Sequence, residues 1–372
     1  MPLINMPDFA GALLDNFAAR GAARVDTPVI QPAAPFLDMA GEDLRRRIFL
    51  TESETGESLC LRPEFTIPVC LSHIETATGT PKRYAYLGEV FRQRREGPSE
   101  FYQAGIEDLG ETATARADAR AISDAVGILE TLLPGRPLAI TLGDQAVFEA
   151  VVKALGLPSG WQKRLIQAFG DSAHLDHLLD NLASPQPVSG LPDAVEKPLA
   201  AEDEAGLMAL IAARMEETGY STNASRSPRE IAARLKEKRA LARTRLDGAA
   251  LLLLREFLTL DLPLNDAASA LAGFADAAGL TLGDALTRFE ERVAALTRLG
   301  LDLSRMTYRA AFGRPLDYYT GLVFEVAEQD EKAVLAGGGR FDRLLTLLGA
   351  KQPIPAVGFS LWLDRIEIAR SR

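Results

Sequence analysis

The chain has 372 residues, 47% of them hydrophobic, and a formal net charge of -10 at pH 7. That length and apolar content suffice for one large core or two domains, and no apolar run approaches the roughly 20 residues of a membrane helix. The acidity argues against a protein whose main task is gripping a polyphosphate backbone, which needs a basic face; Lys and Arg are scattered here, densest at Arg45-Arg46-Arg47 and from Lys236 to Arg245.

Met1 to Asn16 is neither basic nor followed by a long apolar stretch and a cleavage site, so no signal peptide is read there. Phe9, Leu13, Leu14 and Phe17 fall at helical spacing between Pro7 and Arg20, with Asp8 as a candidate cap. Val25, Thr27, Val29 and Ile30 read as strand, its ladder limited by prolines. RIFLTESETGESLCLRPEFT predicts two strands joined by a Thr-Gly turn. Cys60 and Cys70 are the only cysteines, which leaves neither a disulfide framework nor a four-thiolate zinc site and makes a reducing cytoplasm the default location.

RYAYLGEVFR and EFYQAGIEDLG predict an antiparallel pair, followed by a helix over 114–132, a strand over 137–141, and a helix capped by Asp144 and running to Leu155. From about Pro158 to Arg298 the chain turns rich in Ala, Leu, Arg and Glu with helical periodicity, broken by a Ser-Pro-Gln-Pro loop at 184–187. Strand patterns return in RMTYRAAFG, YYTGLVFEVA and KAVLAGGGRFD, then a helix in FDRLLTLLGA, a strand in PAVGF and a last helical piece. An antiparallel sheet split around a helical insertion is an α+β pattern, not βαβ winding.

Four clusters carry chemistry. In Leu61-Arg62-Pro63-Glu64-Phe65-Thr66 an acid and a hydroxyl stand two apart, on one side of an extended segment. Phe91-Arg92-Gln93-Arg94 leads to a strand in which Gln103, Gly105 and Glu107 share a face. Arg314-Pro315-Leu316-Asp317-Tyr318-Tyr319-Thr320-Gly321 is the third, and Gly337-Gly338-Gly339-Arg340-Phe341-Asp342, where bare backbone can approach a ligand, is the fourth. Singly, a polar strand face is usually solvated, a tyrosine pair is usually core, and a glycine run is usually a turn.

In order and spacing together, they resemble histidyl-tRNA synthetases and their paralogues, built on the class II synthetase core. LRPEFT resembles the family's LRPEGT, FRQRREGPSEFYQAGIE its motif 2, RPLDYYTGLVFE its RGLDYYTGTVFE signature, AGGGRFDRL its AGGRYDGL signature and PAVGFSLWLDR its motif 3, while TPVIQP falls where the dimer-forming motif 1 belongs. The resemblance implies an α+β class II aminoacyl-tRNA synthetase-like antiparallel sheet flanked by helices. Residues 1–157 and 299–372 would form a discontinuous histidine-binding core, and 158–298 a mostly helical insertion domain.

The same resemblance implies a histidine pocket. Glu64, Thr66 and Gln103 would surround the ligand ammonium, Glu107 and Tyr319 the imidazole, and Arg314 the carboxylate, with Arg92 and Tyr318 alongside. An imidazole donates from one nitrogen and accepts at the other, which a carboxylate plus a phenol can satisfy. The nucleotide side departs from the synthetase pattern. Arg94 stands where a glutamate is expected, the motif 2 link is short at Gly97-Pro98-Ser99, and Trp362 replaces a small residue of motif 3, with only Arg365 remaining there. The chain also stops seven residues after Arg365, where synthetases continue into an anticodon-binding domain.

These features resemble the paralogue family that serves as regulatory subunit of ATP phosphoribosyltransferase. That family implies no cofactor or metal, no catalysis by the chain itself, and a cytoplasmic homodimer within a hetero-oligomer. Its partner would be a short-form catalytic subunit, with histidine as the sensed ligand. Two alternatives stay open: a truncated synthetase-like enzyme that activates histidine with ATP, kept alive by Arg92, Arg314 and Arg365, and a tRNA-binding sensor acting through the helical insert.

Overall fold

Strands form where β-branched and aromatic residues alternate with small or polar ones. In chain order they are β1 (Ala23–Arg24), β2 (Ile30–Pro32), β3 (Leu50–Glu52), β4 (Ser58–Leu61), β5 (Lys82–Phe91), β6 (Glu100–Leu109), β7 (Leu138–Asp144), β8 (Asp261–Pro263), β9 (Met306–Arg309), β10 (Leu322–Glu328), β11 (Val334–Arg340) and β12 (Ala356–Trp362). The structure, a computed structural model, describes residues 6–39, 42–94, 97–184, 192–218, 227–314, 316, 318–329, 331 and 333–372. Among these residues the strands build a nine-stranded sheet, ordered β1-β5-β6-β12-β11-β10-β7-β9-β8, and a small sheet, β2-β4-β3. The run from β5 to β7 is antiparallel throughout; parallel pairs occur toward the edges, at β1–β5 and β7–β9.

β5 and β6 pair without a break from Lys82↔Leu109 to Phe91↔Glu100. On β6, Gln103, Gly105 and Glu107 lie opposite Trp362, Ser360 and Gly358 of β12. Ser360 and Gly358 in turn lie opposite Gly337 and Gly339 of β11. Since alternate residues share a face, a polar and glycine-rich patch forms on one side of the sheet centre. Helix Thr114–Leu132 packs on the other side, burying Ala121, Ile122, Ala125 and Leu129 at spacings of a single helical stripe.

Chain contacts define two units, one of residues 1–154, 169–171 and 256–372, the other of residues 155–168 and 172–255. The first holds the large sheet. Residues 256–298, expected within the helical insertion, lie in this unit, and one reason is Arg292. Its buried guanidinium on helix Asp284–Arg298 donates to Asp118 at 2.9 Å and to Asp144 at 2.6 Å. The second unit is helical, with Leu199, Leu207, Ile211, Met215 and Ala232 in one cluster. There Trp161 donates its indole N–H to the Leu241 carbonyl at 2.7 Å, and Ser227 and Glu230 form the capping box of helix Pro228–Arg243.

Four local expectations change. The strand read over Val25, Thr27, Val29 and Ile30 is replaced by Ala23–Arg24 and Ile30–Pro32, with residues 25–29 in neither. The first helix is Ala10–Ala19 with Phe9 at its N-cap and no side-chain cap, so Asp8 does not serve there. Glu64 and Thr66 are not on an extended segment: β4 ends at Leu61 and Thr66 opens helix Thr66–Glu75. The helix expected across FDRLLTLLGA shrinks to Leu344–Leu347, followed by Gly349 at φ +105. Asp144 does cap its helix, accepting from the backbone of Ala146 at 2.9 Å and Val147 at 3.3 Å. Residues 185–187 of the expected loop, and Pro315 and Asp317 of the third cluster, lie outside the described residues. No described helix is long and apolar enough to cross a membrane.

Candidate functional site

A cavity of about 90 Å³ opens over the polar patch of the sheet, lined by Glu64, Thr66, Arg92, Gln103, Glu107, Arg314, Tyr318 and Tyr319 together with glycines of β11 and β12. Every binding residue expected from the sequence therefore faces one space. That volume lies below the roughly 300–1,000 Å³ of pockets for drug-sized ligands and suits a small polar molecule.

The acidic wall is built by helix Thr66–Glu75. Glu64 Oε2 accepts the Thr66 amide at 2.7 Å and Oε1 the Ile67 amide at 2.9 Å, satisfying two of the free donors at that helix start. Each oxygen keeps a second lone pair for a ligand. Thr66 Oγ1 donates to Glu107 Oε1 at 2.7 Å. Glu107 Oε2 and Gln103 Oε1 are buried without a hydrogen-bond partner among the described residues. Burial pushes the Glu107 carboxyl well above the usual carboxylate range, the Thr66 hydroxyl pulls it back, and the nearby Glu64 charge adds to the rise. Glu64 is also raised by burial, against the backbone amides of Ile67 and Thr66 and the charge of Arg92.

The basic wall faces it. Arg314 pairs with Glu325 of β10 at 2.7 Å. Burial lowers its affinity for a proton, but Tyr319, Glu325 and Tyr318 together outweigh that and raise it. Arg92 donates Nε–H to the Pro63 carbonyl at 2.6 Å, and burial, opposed by Glu64, pushes its pKa down to about 10. The floor is main chain. A Cβ on Gly358 would overlap Glu107 Oε2 and crowd the Ile106 carbonyl, and one on Gly337 would push the Arg314 guanidinium aside, so glycine at these places lets both side chains lie against the sheet.

Several residues at and around the site make contacts that a reading of the sequence does not give. Arg62 lies over the Phe65 ring at 4.1 Å and donates to the Glu89 carbonyl at 2.7 Å, fixing the segment that carries Glu64. Arg340, next to the glycine run, turns away from the cavity. It binds Asp118 at 2.8 Å and Asp342 at 2.7 Å on the helix-covered side. Arg94 stacks on Phe101 at 3.5 Å and pairs with Asp364 at 3.2 Å. Trp362 lines the cavity beside Arg314, 5.5 Å from its ring, with Arg365 at 5.1 Å. The partners of Arg62 and Arg340 lie too far along the chain for spacing to reveal them.

A family model described as histidyl-tRNA synthetase matches residues 5–201 and 204–366. An ATP phosphoribosyltransferase regulatory subunit from Allorhizobium ampelinum is 83% identical over 372 residues, 100% of both chains. One of the same name from Rhizobium rhizogenes is 71% identical over 371 residues, again 100% of both. This chain belongs to the ATP phosphoribosyltransferase regulatory subunit family. A further relative of that name, from Agrobacterium fabrum, is 70% identical, covering 100% of this chain and 99% of its own.

The solved structures similar to it carry the synthetase fold. An ATP phosphoribosyltransferase regulatory subunit/histidyl-tRNA synthetase from Bacillus halodurans has a TM-score of 0.66 at 20% identity, covering 99% of this chain and 81% of its own. Histidyl-tRNA synthetase from Nostoc has a TM-score of 0.64 at 16% identity, covering 99% and 75%. At such identities the likeness speaks to fold: a class II synthetase-like sheet flanked by helices, which this member of the family keeps.

Proposed function

We propose that this chain is the non-catalytic regulatory subunit of an ATP phosphoribosyltransferase and that its cavity binds free histidine. The observation that carries the ligand is the pair of buried, unpartnered acceptors, Glu107 Oε2 and Gln103 Oε1, facing the Arg314 guanidinium across one small cavity. A buried acceptor left unpaired costs about 1–3 kcal/mol, so the site favours a ligand that brings donors to one wall and an anion to the other. A zwitterion with an imidazole does both. Its ammonium meets Glu64, Thr66 and Gln103; its ring meets Glu107 and Tyr319; its carboxylate meets Arg314, with Arg92 and Tyr318 alongside.

Regulation then means that histidine binds two states of an assembly unequally. The assembly is a homodimer of this chain joined to a short-form catalytic subunit in the cytoplasm, and the phosphoribosyl transfer occurs on that partner. A coupling of about 1–3 kcal/mol changes the affinity for the partner's ligands roughly 5–150-fold. The test is transferase activity of the co-purified complex against histidine, with wild type and Glu107→Ala. The mutant complex is expected to assemble and to need far more histidine for the same inhibition. Unchanged inhibition would put the regulatory site elsewhere.

A further inference from the structure

Three residues of β12 face the cavity, and they grow along the strand: Gly358 beside Glu107, then Ser360, then Trp362 opposite Gln103. The first two leave the floor open. The third ends it with an indole that is 7% exposed. Two guanidinium groups lie close to that indole. The Arg314 carbon Cζ lies 5.5 Å from the ring centroid and the Arg365 Cζ 5.1 Å, and Arg365 is itself anchored by donation to the Val334 carbonyl at 2.7 Å. Guanidinium groups at this range are attracted to the face of an indole. Arg314 is fixed from the other end by Glu325.

We infer that Trp362 is a specificity-determining residue that restricts the site to amino acids with a free carboxylate. The inference rests on the histidine reading above. A carboxylate placed against Arg314 lies beside the indole, so any group attached through that carboxyl, whether a peptide, an ester or an acyl phosphate, must displace a buried side chain that two cations approach. The same indole positions Arg314, because a guanidinium pinned between a ring and a carboxylate keeps a single orientation toward the ligand. Trp362 thus both rejects the carboxyl-extended ligand and sharpens the grip on the free acid. This is a use of steric conflict for discrimination, distinct from added attraction.

The experiment is calorimetry on the full chain with histidine and with histidylglycine, a dipeptide that keeps the ammonium and imidazole but extends the carboxyl. Wild type is expected to prefer histidine by about 100-fold, the order a shaped pocket achieves against one added group. Trp362→Ala should narrow that ratio about tenfold or more, from both sides, while Trp362→Phe, which keeps a ring over Arg314, should hold it. Should the alanine variant fail to fold, Trp362→Leu retains an apolar side chain without the ring and serves in its place. A ratio that stays at the wild-type value in the ring-less variants overturns the inference, as does equal weakening of both ligands, which a merely structural tryptophan would produce. If wild type binds no histidine at all, the ligand assignment itself fails and this inference falls with it; histidine binding with no discrimination overturns only the role of Trp362.

Discussion

Thr66 and Glu107 are joined by a hydrogen bond of 2.7 Å between the first turn of a helix and the middle of β6. It is the one hydrogen bond the Glu107 side chain makes among the described residues, its other oxygen being unpartnered. Thr66→Val removes the donor while keeping the shape. Stripping a buried acceptor of its donor costs about 1–3 kcal/mol, so urea unfolding should show a loss of that order, and calorimetry a histidine affinity about tenfold weaker. Thr66→Ser should recover most of both. A valine variant that binds histidine as wild type does would remove Thr66 from the site.

The pH dependence of stability should carry the mark of the buried acids. Glu107 and Glu64 are both held above the ordinary carboxylate range, burial being the first cause for each. In the window between the unfolded value, about 4.3, and the raised folded value, the folded chain binds more protons than the unfolded one. Stability therefore falls as pH rises through that window. Glu107→Gln removes the largest such group. Urea midpoints measured from acid to alkaline pH should decline less steeply for the variant, so that it gains on wild type as pH rises. Parallel curves would show that Glu107 does not titrate differently in the two states.

The buried cation Arg292 bridges Asp118 and Asp144, each side chain 5% exposed or less. Arg292→Met leaves Asp144 without its cation in the interior, while Asp118 keeps Arg340, and breaking a buried pair from one side costs about 3–5 kcal/mol. Arg255→Met breaks the exposed pair with Asp180, 2.8 Å long, and should cost no more than about 1 kcal/mol. Chemical denaturation of both variants checks the contrast. Comparable losses would mean that burial does not set the worth of these pairs.

The chain has two tryptophans, and only Trp362 lines the cavity. In Trp161→Phe protein, histidine should therefore change the emission of a single indole in the site. The same addition to Trp161→Phe with Glu107→Ala should leave the emission unchanged at that concentration. Fluorescence titration reads both. A signal that persists undiminished in the double variant would separate the indole from the imidazole subsite.

Much of the central sheet was legible because its signal is local. Alternation in RYAYLGEVF and EFYQAGIEDL marks β5 and β6 directly, and the same-side placement of Gln103, Gly105 and Glu107 follows from it. The acidic wall was legible in composition but not in geometry. Glu64 and Thr66 look like neighbours on a strand, yet the chain turns into a helix between them because Glu64 can satisfy the amides of that helix's first turn. Asp144 was readable as a cap, but not as a partner of Arg292 in sequence-distant helix Asp284–Arg298. Arg340 sits beside a glycine run and looks like a ligand cation, whereas strand alternation sends it to Asp118 on the far side of the sheet. For Asp144 and Arg340 the missing information was a long-range charge partner, which periodicity does not encode.

The floor of the cavity also sets how the site behaves when empty. Side chains can swing into a vacant space and must then be moved aside by an arriving ligand, but Gly337 and Gly358 bring none of their own, and the Arg314 guanidinium and the Glu107 carboxyl lie directly over them. Beneath them the floor is hydrogen-bonded backbone of adjacent strands. That backbone has no rotamers to order, so the cost of ordering the protein falls on the walls. What histidine adds to the molecule is charge and hydrogen bonds at the walls, and any change it sends outward must begin there, at Glu64 on its helix and Arg314 against β10.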